Sequence, residues 1–126
     1  MNPEDDNFEK MNSTSVCLVG ADNFSREVLG NAGPVLLMCL SKDKSFSDQM
    51  SEVEKIQVKY SRFLKICLLE EDFLSVFMER YEVKGMPTFL IFSEGKEQER
   101  LLGSVNFQDL TRFLLRVLPD LNDSAS

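Results

Sequence analysis

The chain is predicted to fold as an α/β domain, a three-layer α/β/α sandwich with a central mixed sheet of about five strands. Three observations predict it. Two uninterrupted apolar runs, Val35 to Leu40 and Phe63 to Leu69, have the pattern of strands covered on both faces. The stretches beside them space their apolar residues as helices do. Further on, Thr88 to Phe92 and Gln98 to Leu102 flank the turn "SEGK" around Gly95, as in an antiparallel ribbon.

The elements follow in order. Residues 1–14 are polar and acidic and are expected to form a flexible segment. Val16 to Val19 is a short apolar strand. Asp22 or Asn23 is placed to cap a helix carrying Phe24, Val28 and Leu29, which Gly30 and Gly33 end. Pro34 then leads into the central strand, Val35 to Leu40. Phe46, Met50, Val53, Gln57 and Tyr60 form a helical stripe with one polar intrusion, and Glu52, Glu54, Lys55 and Lys59 fill the outer face. After the strand Phe63 to Leu69, Asp72 is placed to cap a helix through Phe73, Val76, Phe77 and Arg80. The β-ribbon follows, and Phe107, Leu110, Phe113, Leu114, Val117 and Leu118 mark a last helix capped by Asn106. The order βαβαβαββα places helices on both faces of one sheet, in a domain over residues 15–118. Residues 119–126, "PDLNDSAS", are expected to be a flexible tail.

Composition narrows the function. At 126 residues, 43% of them apolar and ten of them phenylalanine, the chain holds one core and one domain. Its 14 basic and 21 acidic side chains leave a net charge of -7. That charge repels phosphate backbones and anionic headgroups, so neither nucleic acid nor membrane is an expected partner. Histidine is absent, which rules out Ser-His and Cys-His nucleophile pairs built from this chain. The three cysteines, Cys17, Cys39 and Cys67, lie far apart in apolar surroundings, unlike a disulfide framework or a zinc site. No apolar run approaches the ~18 residues that span a bilayer. The start, "MNPEDDNFEKMNSTS", lacks the order of a secretory signal. A cytoplasmic monomer is expected.

"FSREVLGNAGPVLLMCL", "YEVKGMPTFLIFSEGK" and "LLGSVNFQDLTRFLLRVL" together resemble the thioredoxin family, from about Val16 to Leu118. The resemblance implies the thioredoxin fold, with a cis peptide bond before Pro87 in Gly85-Met86-Pro87-Thr88. It also implies that Met86 presents its backbone to an extended peptide, although Pro87 alone would equally shape a loop. The family's W-C-G-P-C site maps onto Asp43, Lys44, Ser45, Phe46 and Ser47, so the CxxC pair is replaced by Lys44-Ser45-Phe46-Ser47. Thiol–disulfide exchange needs a low-pKa thiolate at the helix start and a second thiol one turn on, and lysine and serine supply neither. The family's buried aspartate and its facing lysine map onto Met38 and Leu68, an apolar pair that avoids the cost of burying charge.

Other constellations carry less. Cys39 and Cys67 are expected on the sheet face opposite Met38 and Leu68, packed and unreactive, with a disulfide between them as the alternative. Glu70, Glu71 and Asp72 lack the spacing and turn glycine of a calcium loop and suit a solvated loop with a helix cap. Gly85, Gly95 and Gly103 open no phosphate-binding helix. Neither metal nor cofactor is expected. Lys42 and Lys44 face the positive end of a helix, which an acidic partner would relieve. Phe46 is either a staple into the core or part of a binding face.

Two function classes follow. In the first, the chain is a redox-inactive, thioredoxin-like binding module, chaperone-like or an assembly factor, with no catalytic residues. It would hold a protein or extended peptide in a groove of Lys42, Asp43, Lys44, Phe46, Met86, Pro87, Gly103 and Ser104. In the second, it is a divergent protein-disulfide oxidoreductase of cell redox homeostasis, using Cys39, Cys67 or another protein's thiols. An oligomeric scaffold using the Val16 to Val19 edge or the acidic surface is a third possibility.

Overall fold

The structure, a computed structural model, describes residues 16–125, and the acidic segment 1–14 lies outside them. Five strands, β1 (Cys17–Val19), β2 (Val35–Cys39), β3 (Lys65–Leu69), β4 (Thr88–Ser93) and β5 (Lys96–Leu102), form one sheet in the order β1-β3-β2-β4-β5. β1, β3 and β2 run parallel, while β4 is antiparallel to both β2 and β5. The helices are a short wide turn α1 (Ser25–Leu29), then α2 (Phe46–Tyr60), α3 (Glu71–Arg80), α4 (Phe107–Val117) and α5 (Asp120–Ala125).

The two-residue period of the strands sorts their side chains into two cores. Leu36, Met38, Ile66, Leu68, Phe89 and Ile91 meet Val53, Ile56 and Tyr60 of α2, Leu110, Phe113 and Leu114 of α4, and Leu121 of α5. On the other face Val19, Val35, Leu37, Cys39, Cys67, Leu69, Leu90 and Phe92 meet Phe24 and Val28 around α1 and Phe73 and Phe77 of α3. The chain is therefore the α/β/α sandwich that the element order predicts. In the second core Phe24, Phe73, Phe77, Tyr81 and Phe92 make a continuous set of edge and stacked contacts, the closest being Phe77 on Tyr81 at 4.4 Å between ring centres.

Several expectations are corrected. Asn23 does not cap forward into α1: its amide oxygen accepts from the Gly20 N–H (2.8 Å) and its amide nitrogen donates to the Leu18 carbonyl (3.1 Å), closing the turn after β1. α1 is one wide turn, in which the Gly30 N–H donates to the Ser25 carbonyl at 2.7 Å. Phe63 is outside β3 and 38% exposed, so the buried run begins later than hydropathy suggests. Glu70 rather than Asp72 occupies the cap position of α3, with Glu71 and Asp72 in the first turn, where their charge suits the helix dipole. Along α2 the buried stripe is Gln49, Val53, Ile56 and Tyr60. Where a flexible tail is expected over 119–126, Asp120–Ala125 form α5, and Leu121 is 4% exposed in the first core. The cap at Asn106 stands as read, its side chain accepting from the Asp109 N–H at 2.8 Å.

Two basic residues pin helix ends to the sheet. Arg100 of β5 holds Glu97 through two bonds (2.6 and 2.7 Å) and donates to the carbonyls of Tyr81 (2.9 Å) and Glu82 (3.1 Å) past the end of α3. Lys65 of β3 pairs with the Glu27 carboxylate and donates to the Glu27 carbonyl at 3.0 Å, fastening α1. The Lys65 hydrogen bond, helped by Arg26, lowers the Glu27 carboxyl from 4.5 to about 2. A depressed folded-state pKa stabilises the fold above the unfolded value and loses that effect as pH falls through the folded one. In Lys65→Met the denaturant midpoint is therefore expected to fall most above pH 5, the deficit narrowing toward pH 2. Urea titrations of both proteins at several pH values check this, and a deficit constant across that range contradicts it.

Candidate functional site

The loop after β2 and the turn before β4 come together at the carboxyl end of the parallel strands. Asp43 organises the first of them. Its carboxylate accepts from the Ser45 hydroxyl (2.6 Å) and N–H (2.9 Å), and its carbonyl accepts from the Phe46 N–H (3.1 Å). The Ser45 bonds hold the Asp43 carboxyl below its ordinary value. A carboxylate thus stands at the positive end of α2, between Lys42 and Lys44, and offsets their unfavourable placement.

Gln49 fixes the wall opposite. It is the buried polar residue of α2, 7% exposed, and its amide pairs with the backbone of Val105: Nε2 donates to the carbonyl (2.9 Å) and Oε1 accepts from the N–H (3.1 Å). One turn on, Glu52 Oε1 accepts from the Phe107 N–H (2.6 Å) at the start of α4. Its carboxyl is lowered, chiefly by Lys55 and then by that N–H.

The Met86–Pro87 peptide bond is cis. The Thr88 hydroxyl donates to the Gly85 carbonyl (2.6 Å), and the Gly103 N–H donates to the Pro87 carbonyl (2.8 Å). Gly103 has φ +114° with nothing within 4 Å of an added Cβ, so backbone conformation rather than space favours glycine here. Among the described residues no other backbone group hydrogen-bonds the N–H or carbonyl of Met86. The residue is 40% exposed.

Two clefts flank these residues. A larger one, about 170 Å³, is lined by Leu40, Ser41, Lys42, Phe46, Leu68, Leu69, Glu71, Leu74 and Met86. A smaller one, about 50 Å³, is lined by Leu40, Ser41, Asp43, Ser45, Phe46, Gln49, Met86 and Pro87. Phe46 and Met86 border both. Phe46 also packs on the first core, so it serves as staple and as wall. Of the residues singled out in the sequence, Lys42, Asp43, Phe46, Met86 and Pro87 meet here. Lys44, Gly103 and Ser104 line neither cleft, and Gly103 acts through Pro87. Gln49, Leu68 and Glu71 were missed as site residues. Gln49 had a signal, a polar residue three positions after Phe46 on the buried stripe.

The cysteine thiols line neither cleft. Cys39 and Cys67 are fully buried in the second core, and burial pushes both thiols up to about 12. Cys39 pairs with Thr88 across β2 and β4 but lines neither cleft. Cys67 faces Leu37 of β2, so the two share a face without being partners. Met38 and Leu68 are register partners in the first core.

A sequence model of the family Thioredoxin matches residues 15–116. A thioredoxin of Acidithiobacillus ferridurans is 26% identical over 103 residues, which is 81% of this chain and 95% of that relative.

Replacing Gln49 with leucine strips both partners from the Val105 peptide group. The expected outcome is a loss of about 2 kcal/mol in unfolding free energy, because two backbone groups lose their hydrogen bonds. Faster amide exchange at Val105 should accompany it. Unchanged exchange there shows that the amide pair does not hold the wall.

Proposed function

The chain belongs to the thioredoxin family, and from that premise we propose that it is a redox-inactive, thioredoxin-like peptide- and protein-binding module, chaperone-like or an assembly factor. The observation that carries the reading is the make-up of the groove. A helix entrance built from Asp43, Lys44, Ser45, Phe46 and Ser47 contains no sulfur, while the backbone of Met86 and two clefts remain beside it. Electron exchange with a client disulfide needs a nucleophilic thiolate at the point of contact. Holding an extended segment needs only an N–H and a carbonyl to pair with and apolar walls for alternate side chains. Leu102, 59% exposed, with its Cδ1 3.6 Å from the position of a Gly85 Cβ, extends the apolar rim beyond Met86. Lys42 and Glu71 on the larger cleft give it charges of both signs, which suits an apolar side chain flanked by polar neighbours.

Two measurements test this reading. In an insulin-reduction assay with a suitable electron donor the protein is expected to give no turnover above the uncatalysed rate; turnover matching an active thioredoxin refutes it. On an array of extended peptides, Met86→Asp is expected to weaken binding at least tenfold, about 1.4 kcal/mol. Equal binding by the variant removes the groove from the reading.

The second reading is a divergent protein-disulfide oxidoreductase of cell redox homeostasis. It rests on the family alone and needs either Cys39 or Cys67 to react from full burial or another protein's thiols to do the chemistry. Titration with a chromogenic disulfide separates the two. On the binding-module reading Cys39 and Cys67 label only after denaturation, and fast labelling of either in the folded protein favours the enzyme.

A further inference from the structure

Cys17 and Cys67 face one another. They are register partners on the adjacent parallel strands β1 and β3, so their side chains leave the same face of the sheet. Cys67 is buried in the second core, and Cys17 packs against that same cluster. Neighbouring strands lie ~4.8 Å apart, within the Cα separation that a disulfide bridges. β1 is an edge strand of only three residues and is paired on one side alone, which gives it room to adjust. Cys39 is not an equal partner, because Cys67 meets Leu37 on β2 and Cys39 lies two residues further along.

Access distinguishes the two thiols. Cys17 is half-buried and lines a cavity of about 350 Å³ at the amino ends of β2 and β3, the end of the sheet away from the groove. The Glu27–Lys65 ion pair stands beside it, with Cys17 Sγ 3.7 Å from Glu27 Oε1. Cys67 is fully buried, so a small solute reaches Cys17 first.

The geometry points to Cys17 and Cys67 as an oxidisable pair, which hydrogen peroxide converts into an intrachain disulfide tying β1 to β3. The Cys17 thiolate attacks peroxide: an S–O bond forms, the O–O bond breaks and hydroxide leaves, giving a sulfenic acid. The Cys67 sulfur then attacks the Cys17 sulfur. An S–S bond forms, the S–O bond breaks, and the Cys67 proton leaves with the departing oxygen as water. In total two thiols and one peroxide give one disulfide and two waters, two electrons passing from sulfur to oxygen. Burial raises both thiols above their ordinary values, so the reaction is slow and needs excess peroxide. The pair lies outside the groove and does not depend on the binding-module reading.

The test treats the full chain with excess hydrogen peroxide, blocks free thiols with an alkylating agent after denaturation, and maps peptides by mass spectrometry without reduction. The expected product is a single linked pair of peptides carrying Cys17 and Cys67, lighter by two hydrogens and returned to free thiols by dithiothreitol. Cys39→Ala should keep the link, and Cys67→Ala should lose it and carry Cys17 on to the sulfinic acid. Sulfinic acid at Cys17 of the unmutated chain with Cys67 reduced, a Cys39–Cys67 link, dimers through Cys17, or no modification under peroxide that fully oxidises the urea-unfolded chain would each overturn the assignment.

Discussion

The two-sided burial of β2 is the constraint on which the rest depends. All five of its residues are completely removed from water, and each contributes to one of the two cores. A strand in that position must be apolar throughout, and it must be followed by an abrupt polar loop where the chain returns to solvent. The loop Ser41 to Ser45 is that return, and its position at the carboxyl end of the parallel strands is where open α/β sheets place their sites. Helix packing on both faces, the antiparallel addition of β4 and the location of the groove all follow from keeping this one strand dry.

The same constraint bears on the absent redox device. A carboxylate at Met38 would stand in the first core beside Leu68, with Val53 and Leu110 in the same cluster. Charge there is tolerable only where chemistry uses it. With no thiol at Lys44 or Ser47, the apolar pair keeps the core continuous from α2 to α4. The polar work moves to the rim: Asp43 steadies the helix entrance, Gln49 substitutes for a neighbouring strand at Val105, and Glu52 satisfies the first N–H of α4. Each of these bonds runs from a side chain to backbone or to a local hydroxyl, the kind of contact that sets loop shape, and none of them engages the N–H or carbonyl of Met86.

Much of the fold was legible because its signals are periodic. The apolar run of β2, the stripe of α4 with its Asn106 cap and the ribbon around Gly95 rest on spacings that only one kind of element satisfies. The site was legible in part. Met86 and Pro87 announced themselves through the family's turn and Phe46 through its place at the start of α2, whereas Gln49 showed only as a polar residue on the buried stripe and Glu71 not at all, because a polar residue on a helix carries no mark of which distant backbone or cleft it will meet. Phe63 and Leu121 were misplaced for a related reason. Hydropathy gave the first to a strand and the tail's polarity hid the second, whereas exposure depends on which neighbours arrive.

Read alone, then, the sequence determined the order of strands and helices, the two-faced burial of the central strand, and the lack of sulfur at the entrance of α2, since all three are properties of local pattern and residue identity. Only the tertiary structure decided that Cys17 rather than Cys39 stands opposite Cys67, that Asp43 and Gln49 build the groove's edges, and that α5 closes the first core. Those outcomes turn on register between strands and contacts between residues far apart in the chain, which no local spacing encodes.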